Sequence, residues 1–313
     1  LESLNPGGST KDRPALNIIK HGIDSGAIKP GATIIESSSG NMGIGLAQVC
    51  SYFGLKFICI VDPKTTAQNI RLLKTYGAEV DVVSEPDPNT GEYLRARLNR
   101  VQELLAAHTG SFWPNQYASL QNSMAHYDTM REIVTSAGAD LDYVFCSVST
   151  CGTIRGCAEY AQVHKLRTKI VAVDAVGSVI YGDQKAKRLI PGHGAAMRPK
   201  LFRNDIAERC IHVSDLDCVV GCRLLVRHES ILAGGSSGGV LMALKNVIHE
   251  LPRNASCALI FPDRGERYLD TIYSDEWVEQ HFGDVSSLWT INAKEEEWAA
   301  TATASAAPGA QMR

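Results

Sequence analysis

A lysine stands eleven residues into the chain, in Asn5-Pro6-Gly7-Gly8-Ser9-Thr10-Lys11-Asp12-Arg13-Pro14-Ala15. The glycines let the backbone pass close to a ligand, and a helix starting near Ser9 or Thr10 would put Lys11 in its first turn. Cations are disfavoured at the positive end of a helix. A lysine consumed as an imine, or one that faces a phosphate, has a reason to be there. A solvated surface lysine is the competing reading of this segment taken alone.

Three more segments combine glycine with hydroxyl groups. Glu36-Ser37-Ser38-Ser39-Gly40-Asn41-Met42-Gly43-Ile44-Gly45-Leu46-Ala47 follows an apolar run, so serine hydroxyls, main-chain N–H groups and a helix N-terminus would converge on a carboxylate. Its glycine spacing is not G-x-G-x-x-G, and no suitably placed acidic residue follows, which disfavours a nicotinamide enzyme. In Ser147-Val148-Ser149-Thr150-Cys151-Gly152-Thr153-Ile154-Arg155-Gly156, three hydroxyls around Gly152 can cup a phosphate. No Gly-Lys-Ser/Thr follows, which argues against nucleoside triphosphate chemistry. The last, Ala233-Gly234-Gly235-Ser236-Ser237-Gly238-Gly239, reads as a serine cap on a helix. Singly, each segment is also an ordinary strand-to-helix turn.

The elements that must hold these segments alternate along the chain. Val/Ile/Cys/Phe-rich runs predict strands at Thr33–Glu36, Lys56–Asp62, Glu79–Val83, Tyr143–Val148, Lys169–Asp174 and Cys257–Phe261. Continuous apolar runs of this kind suit strands buried on both faces. Helical patterns fall between them at Met42–Phe53, Ala67–Tyr76, Glu92–Ala107, Ser123–Ser136, Asp215–His228 and Gly239–Glu250. The alternation predicts an α/β protein with mostly parallel sheets, in two strand–helix series that divide near Gln121.

Composition narrows the function classes. The 313 residues are 44% hydrophobic and 21% charged, with a net charge of −3. That is globular, and it gives no electrostatic reason to expect nucleic acid or an anionic membrane as partner. No apolar run approaches a membrane span and the start lacks a signal-peptide pattern, so the expected location is the cytoplasm. The nine cysteines include no C-x2-C pair, so buried reduced thiols are expected, without a metal or disulfide framework. The Ala-rich end from Ala299 offers no packing face and is expected to be disordered.

Taken together and in order, the four segments resemble the cysteine synthase/cystathionine β-synthase family of fold-type II enzymes dependent on pyridoxal 5′-phosphate (PLP). The resemblance spans about residues 1 to 285. It implies a two-lobed, tryptophan synthase β-like fold of twisted, mostly parallel sheets flanked by helices. Residues 1–120 would form a smaller mobile lobe, 121–285 a larger lobe with the phosphate site, and 286–313 a mostly disordered tail. It also implies a homodimer acting on small amino-acid substrates.

By the same resemblance, Lys11 carries the cofactor as a Schiff base and then serves as base at the substrate α-carbon. Asn41 bonds the cofactor's 3′-oxygen. Ser149, Thr150, Cys151, Gly152 and Thr153 hold its phosphate, and Ser236 meets the pyridine nitrogen. Ser38, Ser39, Gly40 and Met42 surround the substrate carboxylate, Met42 standing where relatives often have threonine. A neutral hydroxyl at the pyridine nitrogen weakens the electron sink and favours β-elimination. Family members carry a few tens of residues before the lysine motif, whereas this chain starts ten residues before Lys11, so truncation is expected.

Departures from the sulfhydrylase pattern bear on the leaving group. Ser149 opens a loop that reads G-T-G-G-T in O-acetylserine sulfhydrylases, and Tyr117 replaces a common phenylalanine. Both add a hydroxyl near the cleft and suit phosphate better than acetate. Val61-Asp62-Pro63-Lys64, Val173-Asp174-Ala175-Val176-Gly177-Ser178, Pro191-Gly192-His193-Gly194-Ala195 and Pro262-Asp263-Arg264-Gly265-Glu266-Arg267-Tyr268 are similar to one branch of the family. That branch, the N-(2-amino-2-carboxyethyl)-L-glutamate synthases of siderophore and antibiotic pathways, joins O-phospho-L-serine to L-glutamate on the way to 2,3-diaminopropionate. Gly192 and His193, the latter in place of isoleucine, are candidates to touch substrate, and Arg155, Arg198, Arg264 and Arg267 to hold a second dicarboxylate. A cysteine synthase, a serine/threonine dehydratase and a PLP-binding regulator or inactive paralogue are the alternatives.

Overall fold

The structure is a computed structural model and describes residues 1–138 and 140–290. The expected disordered tail lies almost wholly outside the described residues. Its first part, Ser286–Leu288, is a turn of 3-10 helix.

Among the described residues, seven strands form two all-parallel sheets. In the first, β1 (Thr33–Ser37), β2 (Lys56–Val61) and β3 (Glu79–Val82) lie in the order β1-β2-β3. In the second, β4 (Tyr143–Ser147), β5 (Lys169–Ala175), β6 (Arg209–Val213) and β7 (Cys257–Leu259) lie in the order β6-β5-β4-β7. Five of the six residues of β2 are buried, as are six of the seven of β5. Strands covered on both faces need this apolar continuity.

Helices cover both sheets. On one face of the first, α1 (Asp12–Asp24), α2 (Asn41–Tyr52) and α3 (Ala67–Thr75) build a core around Ile18, Ile34, Leu46 and Leu73. On the other, α4 (Tyr93–Ala107) places Val101 and Leu104 against Ile35, Ile58 and Ile60. The second sheet is sandwiched the same way. Met130 of α5 (Leu120–Ala137) and Ile154 of α6 (Gly152–Val163) pack one side. Residues of α7 (Asp215–Glu229), α8 (Gly235–Val247) and α9 (Asp275–Phe282) pack the other.

The first ten residues join the second sheet's surroundings rather than the first. Glu2 N–H donates to the Phe261 carbonyl at 3.0 Å, Thr10 N–H donates to the Pro262 carbonyl at 2.7 Å, and Ser9 bridges antiparallel to Asp263. The stretch before Lys11 and the stretch around Asp263 therefore meet face to face.

Two expectations about helix starts are corrected. The first helix begins at Asp12, so Lys11 is its N-cap residue. Ser9 Oγ accepts from Lys11 N–H at 3.2 Å and the Asp12 carboxylate accepts from Gly7 N–H, so the turn is closed by side chains ahead of the helix. The serine pair 236–237 does not cap α8 but lies in its first turn, after Gly234. The glycines there serve contact. A Cβ at Gly238 would stand 2.1 Å from the Cys218 carbonyl, and one at Gly221 2.2 Å from the Gly238 carbonyl. Helices α7 and α8 thus cross with main chains touching, and a run that looks like a hinge is helical.

Candidate active site

The four glycine and hydroxyl segments converge at the C-terminal ends of β1 and β4, the place where open parallel sheets bind ligands. Lys11 is half-buried, with its amine deep in protein. Desolvation lowers its pKa, opposed by the nearby Asp263, Glu2 and Cys151. Its amine makes no hydrogen bond or ion pair among the described residues. A lysine with a weakened hold on its proton is a better nucleophile than a solvated one.

Asn41, first residue of α2, donates from Nδ2 to Asp263 Oδ2 at 2.7 Å and accepts from Arg267 at Oδ1. Its amide orientation is fixed, leaving one N–H for a ligand. Asp263 also accepts from the Tyr268 hydroxyl at 2.5 Å, while its Oδ1 is buried without a partner. Burial raises the Asp263 pKa, and Tyr268, Asn41, Arg267 and Lys11 pull it back. Sequence reasoning assigned no role to Asp263; only its antiparallel bridge to Ser9 brings it to the lysine.

In the serine segment, Ser38 Oγ accepts from Gly43 N–H at 2.9 Å and closes the start of α2. Ser39 gives its carbonyl to Asn69. A Cβ on Gly40 would meet nothing within 4 Å, so this main chain borders open space. The side chain of Met42 is 2% exposed and packs in the core of the first sheet. A carboxylate contact by this residue would come from its N–H rather than its side chain.

The third segment turns on Cys151, whose φ of 64° is left-handed. That conformation lets α6 start at Gly152 with its first N–H groups turned outward, an anion receptor. Two residues of α5 brace it, neither singled out from sequence. Asn122 Nδ2 bonds Thr150 Oγ1 at 3.2 Å, and His126 Nε2 lies 3.2 Å from Thr153 Oγ1. His126 is fully buried, and desolvation together with Lys11 and Arg13 holds it neutral.

Ser236, 7% exposed, lies in the first turn of α8. Gly192 is exposed with φ of 74°, and Gly194 N–H donates to the Val148 carbonyl at 2.8 Å, tying this loop to the end of β4. His193 is buried: it is 1% exposed, neither ring nitrogen has a partner, and Nε2 lies 3.4 Å from where a Gly239 Cβ would be. This is a packed histidine, not a solvated one.

Burial raises the pKa of the Tyr117 hydroxyl; Arg97 on α4 and Arg188 in the loop after β5 oppose it, and Glu36 adds to it. Arg97 lies 3.3 Å from Asp62, and the Nε of each guanidinium is buried without a hydrogen bond. The four arginines expected from sequence are placed otherwise. Arg155 pairs with Glu159, Arg198 bonds the Ile180 carbonyl, Arg264 the Ser3 carbonyl, and Arg267 the Asn41 network.

These features suit PLP. A partnerless lysine, an outward-facing helix start and buried unpaired oxygens on Thr10 and Asp263 surround one cleft. The family comparison agrees, and it fixes the class first: residues 1–263 match the profile of the pyridoxal-phosphate dependent enzymes. The chain belongs to that family, and its cofactor is pyridoxal 5′-phosphate.

Among solved structures, the O-acetylserine-dependent cystathionine β-synthase of Helicobacter pylori is 31% identical. The match covers 88% of this chain and 89% of that one, with a TM-score of 0.81. O-acetylserine sulfhydrylase isoform 3 of Entamoeba histolytica is 30% identical over 93% and 87%, at 0.81. An O-ureido-L-serine synthase is 26% identical over 88% and 89%, also at 0.81. The chain is thus a PLP enzyme of the β-replacing, cysteine-synthase-like kind. No helix among the described residues is long and apolar enough to cross a membrane.

Proposed function

We propose that the enzyme replaces the β-substituent of O-phospho-L-serine, with L-glutamate as the incoming nucleophile, to form N-(2-amino-2-carboxyethyl)-L-glutamate. One observation carries the choice of donor: two cations, Arg97 and Arg188, act electrostatically on the Tyr117 hydroxyl. Arg97 already has Asp62 as counter-ion, but Arg188 bonds only the His193 carbonyl among the described residues; a neutral acetyl ester leaves it without a counter-charge, whereas a phosphate dianion supplies one and takes the hydroxyl as a further donor. The acceptor rests on the branch-specific wording of the sequence.

When bound, PLP supplies the electron sink for breaking the bond at the β-carbon. The chain's residues do the rest. Lys11 Nζ, its proton affinity lowered, holds the cofactor and then takes the proton from the substrate α-carbon. The N–H groups around Gly40 and Met42 receive the substrate carboxylate. Asn122 and His126 keep the Thr150 and Thr153 hydroxyls turned to the cofactor phosphate. Ser236, a neutral partner for the pyridine nitrogen, favours loss of the β-group.

The test follows the cofactor's visible absorption in single turnovers. O-Phospho-L-serine is expected to change the spectrum and L-glutamate, not sulfide, to restore it. Tyr117→Phe should lower kcat/KM for O-phospho-L-serine roughly 10- to 100-fold, the cost of one hydrogen bond to a charged group, with little effect on O-acetylserine. If O-acetylserine with sulfide is the faster pair, the enzyme is a cysteine synthase. Pyruvate release without acceptor would make it a dehydratase.

A further inference from the structure

Strand β6, at the edge of the second sheet, carries Cys210 and His212 two residues apart, and hence on one face. Its parallel register sets Ala172 beside Cys210 and Asp174 beside His212. The four positions form a square on that face, and the small Ala172 leaves room between the other three. One ligand atom from each of Asp174, Cys210 and His212 lies within 4.8 Å of the others. We propose that these three residues bind a divalent transition metal of the zinc class. The site goes beyond the β-replacement reading and does not depend on it.

The donor set identifies the ion. One carboxylate oxygen, one thiolate and one imidazole nitrogen form a mixed O/S/N site of borderline softness, which suits Zn2+ over Mg2+ or Ca2+. Three protein ligands leave one position open. Tetrahedral zinc bonds of about 2.0–2.3 Å set ligand atoms about 3.5 Å apart, so a small closure is required. His212, exposed and without a side-chain hydrogen bond among the described residues, supplies it by rotating.

Asp174 is held for the purpose. It is fully buried, with Oδ1 accepting from Ala175 N–H at 2.9 Å and Oδ2 from Tyr181 N–H at 3.1 Å. Each oxygen keeps a second lone pair, and such outer bonds orient a ligating carboxylate. A second feature points to the same spot. The Tyr181 hydroxyl is buried without any partner, in the electrostatic neighbourhood of Asp174, Cys210 and Cys151. A metal-bound water in the open position would give it one. Tyr181 thus links this site to Cys151, the residue before α6 in the phosphate loop.

The experiment titrates chelator-treated holoenzyme with Zn2+ by calorimetry and repeats it with Co2+ for the visible d–d bands of a tetrahedral site. The expected result is one metal per chain with a micromolar or tighter Kd. Cys210→Ser and His212→Ala should each weaken binding by at least about tenfold, and Cys257→Ser should leave it unchanged. His212 is exposed, so His212→Ala should keep the wild-type fold and cofactor band even if Cys210→Ser does not. Absence of saturable binding, or binding of wild-type affinity in His212→Ala, would overturn the site.

Discussion

Lys11 shows how a residue's surroundings, rather than its type, set its chemistry. Its amine is desolvated, has no hydrogen-bonding partner, and faces Asp263 only through the electrostatic field. Replacing it with alanine therefore removes no contact that holds the fold. Lys11→Ala is expected to give a protein with the wild-type circular dichroism spectrum that purifies colourless and loses added PLP on gel filtration. A variant that stays yellow through gel filtration would show that another group anchors the cofactor. The lysine, the asparagine loop and the phosphate loop were legible in the sequence because each is a contiguous motif whose glycines and hydroxyls announce a ligand. Asp263, Asn122, His126, Arg97 and Arg188 were not. Each reaches the cleft from an element remote in sequence from the lysine.

At the scale of elements, apolar periodicity placed six of the seven strands within a residue or two. It missed β6, whose Arg-Cys-Ile-His-Val alternates because an edge strand has less of itself to bury. The start of α8 was misplaced for a different reason. Four glycines in seven residues read as a cap ahead of the helix, yet in the structure Gly235, Gly238 and Gly239 are helical, and Gly238 and Gly239 meet α7 at Cys218. The consequence is measurable. Gly238→Ala puts a methyl group against the Cys218 carbonyl and must push α7 from α8, with an expected loss of at least about 2 kcal/mol. Urea unfolding gives this as a lower midpoint at an unchanged slope. A change below about 0.5 kcal/mol would mean that the two helices do not cross this closely.

For the whole molecule, stability against pH reflects two buried groups that oppose each other. His193 has a pKa lowered to about 4 by burial and by Arg188. The unfolded chain protonates it near 6.5, so stability falls as pH drops from 6.5 to 4, by roughly 3 kcal/mol in full. Glu36 works in the other direction. Burial raises its pKa to about 7, against hydrogen bonds from Ser37, Trp113 and Gln116. Its folded form gains the proton first, so stability rises as pH drops from 7 to 4.5, by a similar amount. Their sum is nearly flat, tilted toward acid loss by His126, which is also held neutral. His193→Ile leaves the Glu36 effect with less opposition. The variant should match or exceed the wild type at about pH 7.5, and its advantage should widen steadily toward about pH 4.5. Urea midpoints across that range test this. Parallel curves for the two proteins would mean that His193 titrates normally in the folded state, and hence that its ring is not sealed beneath α8.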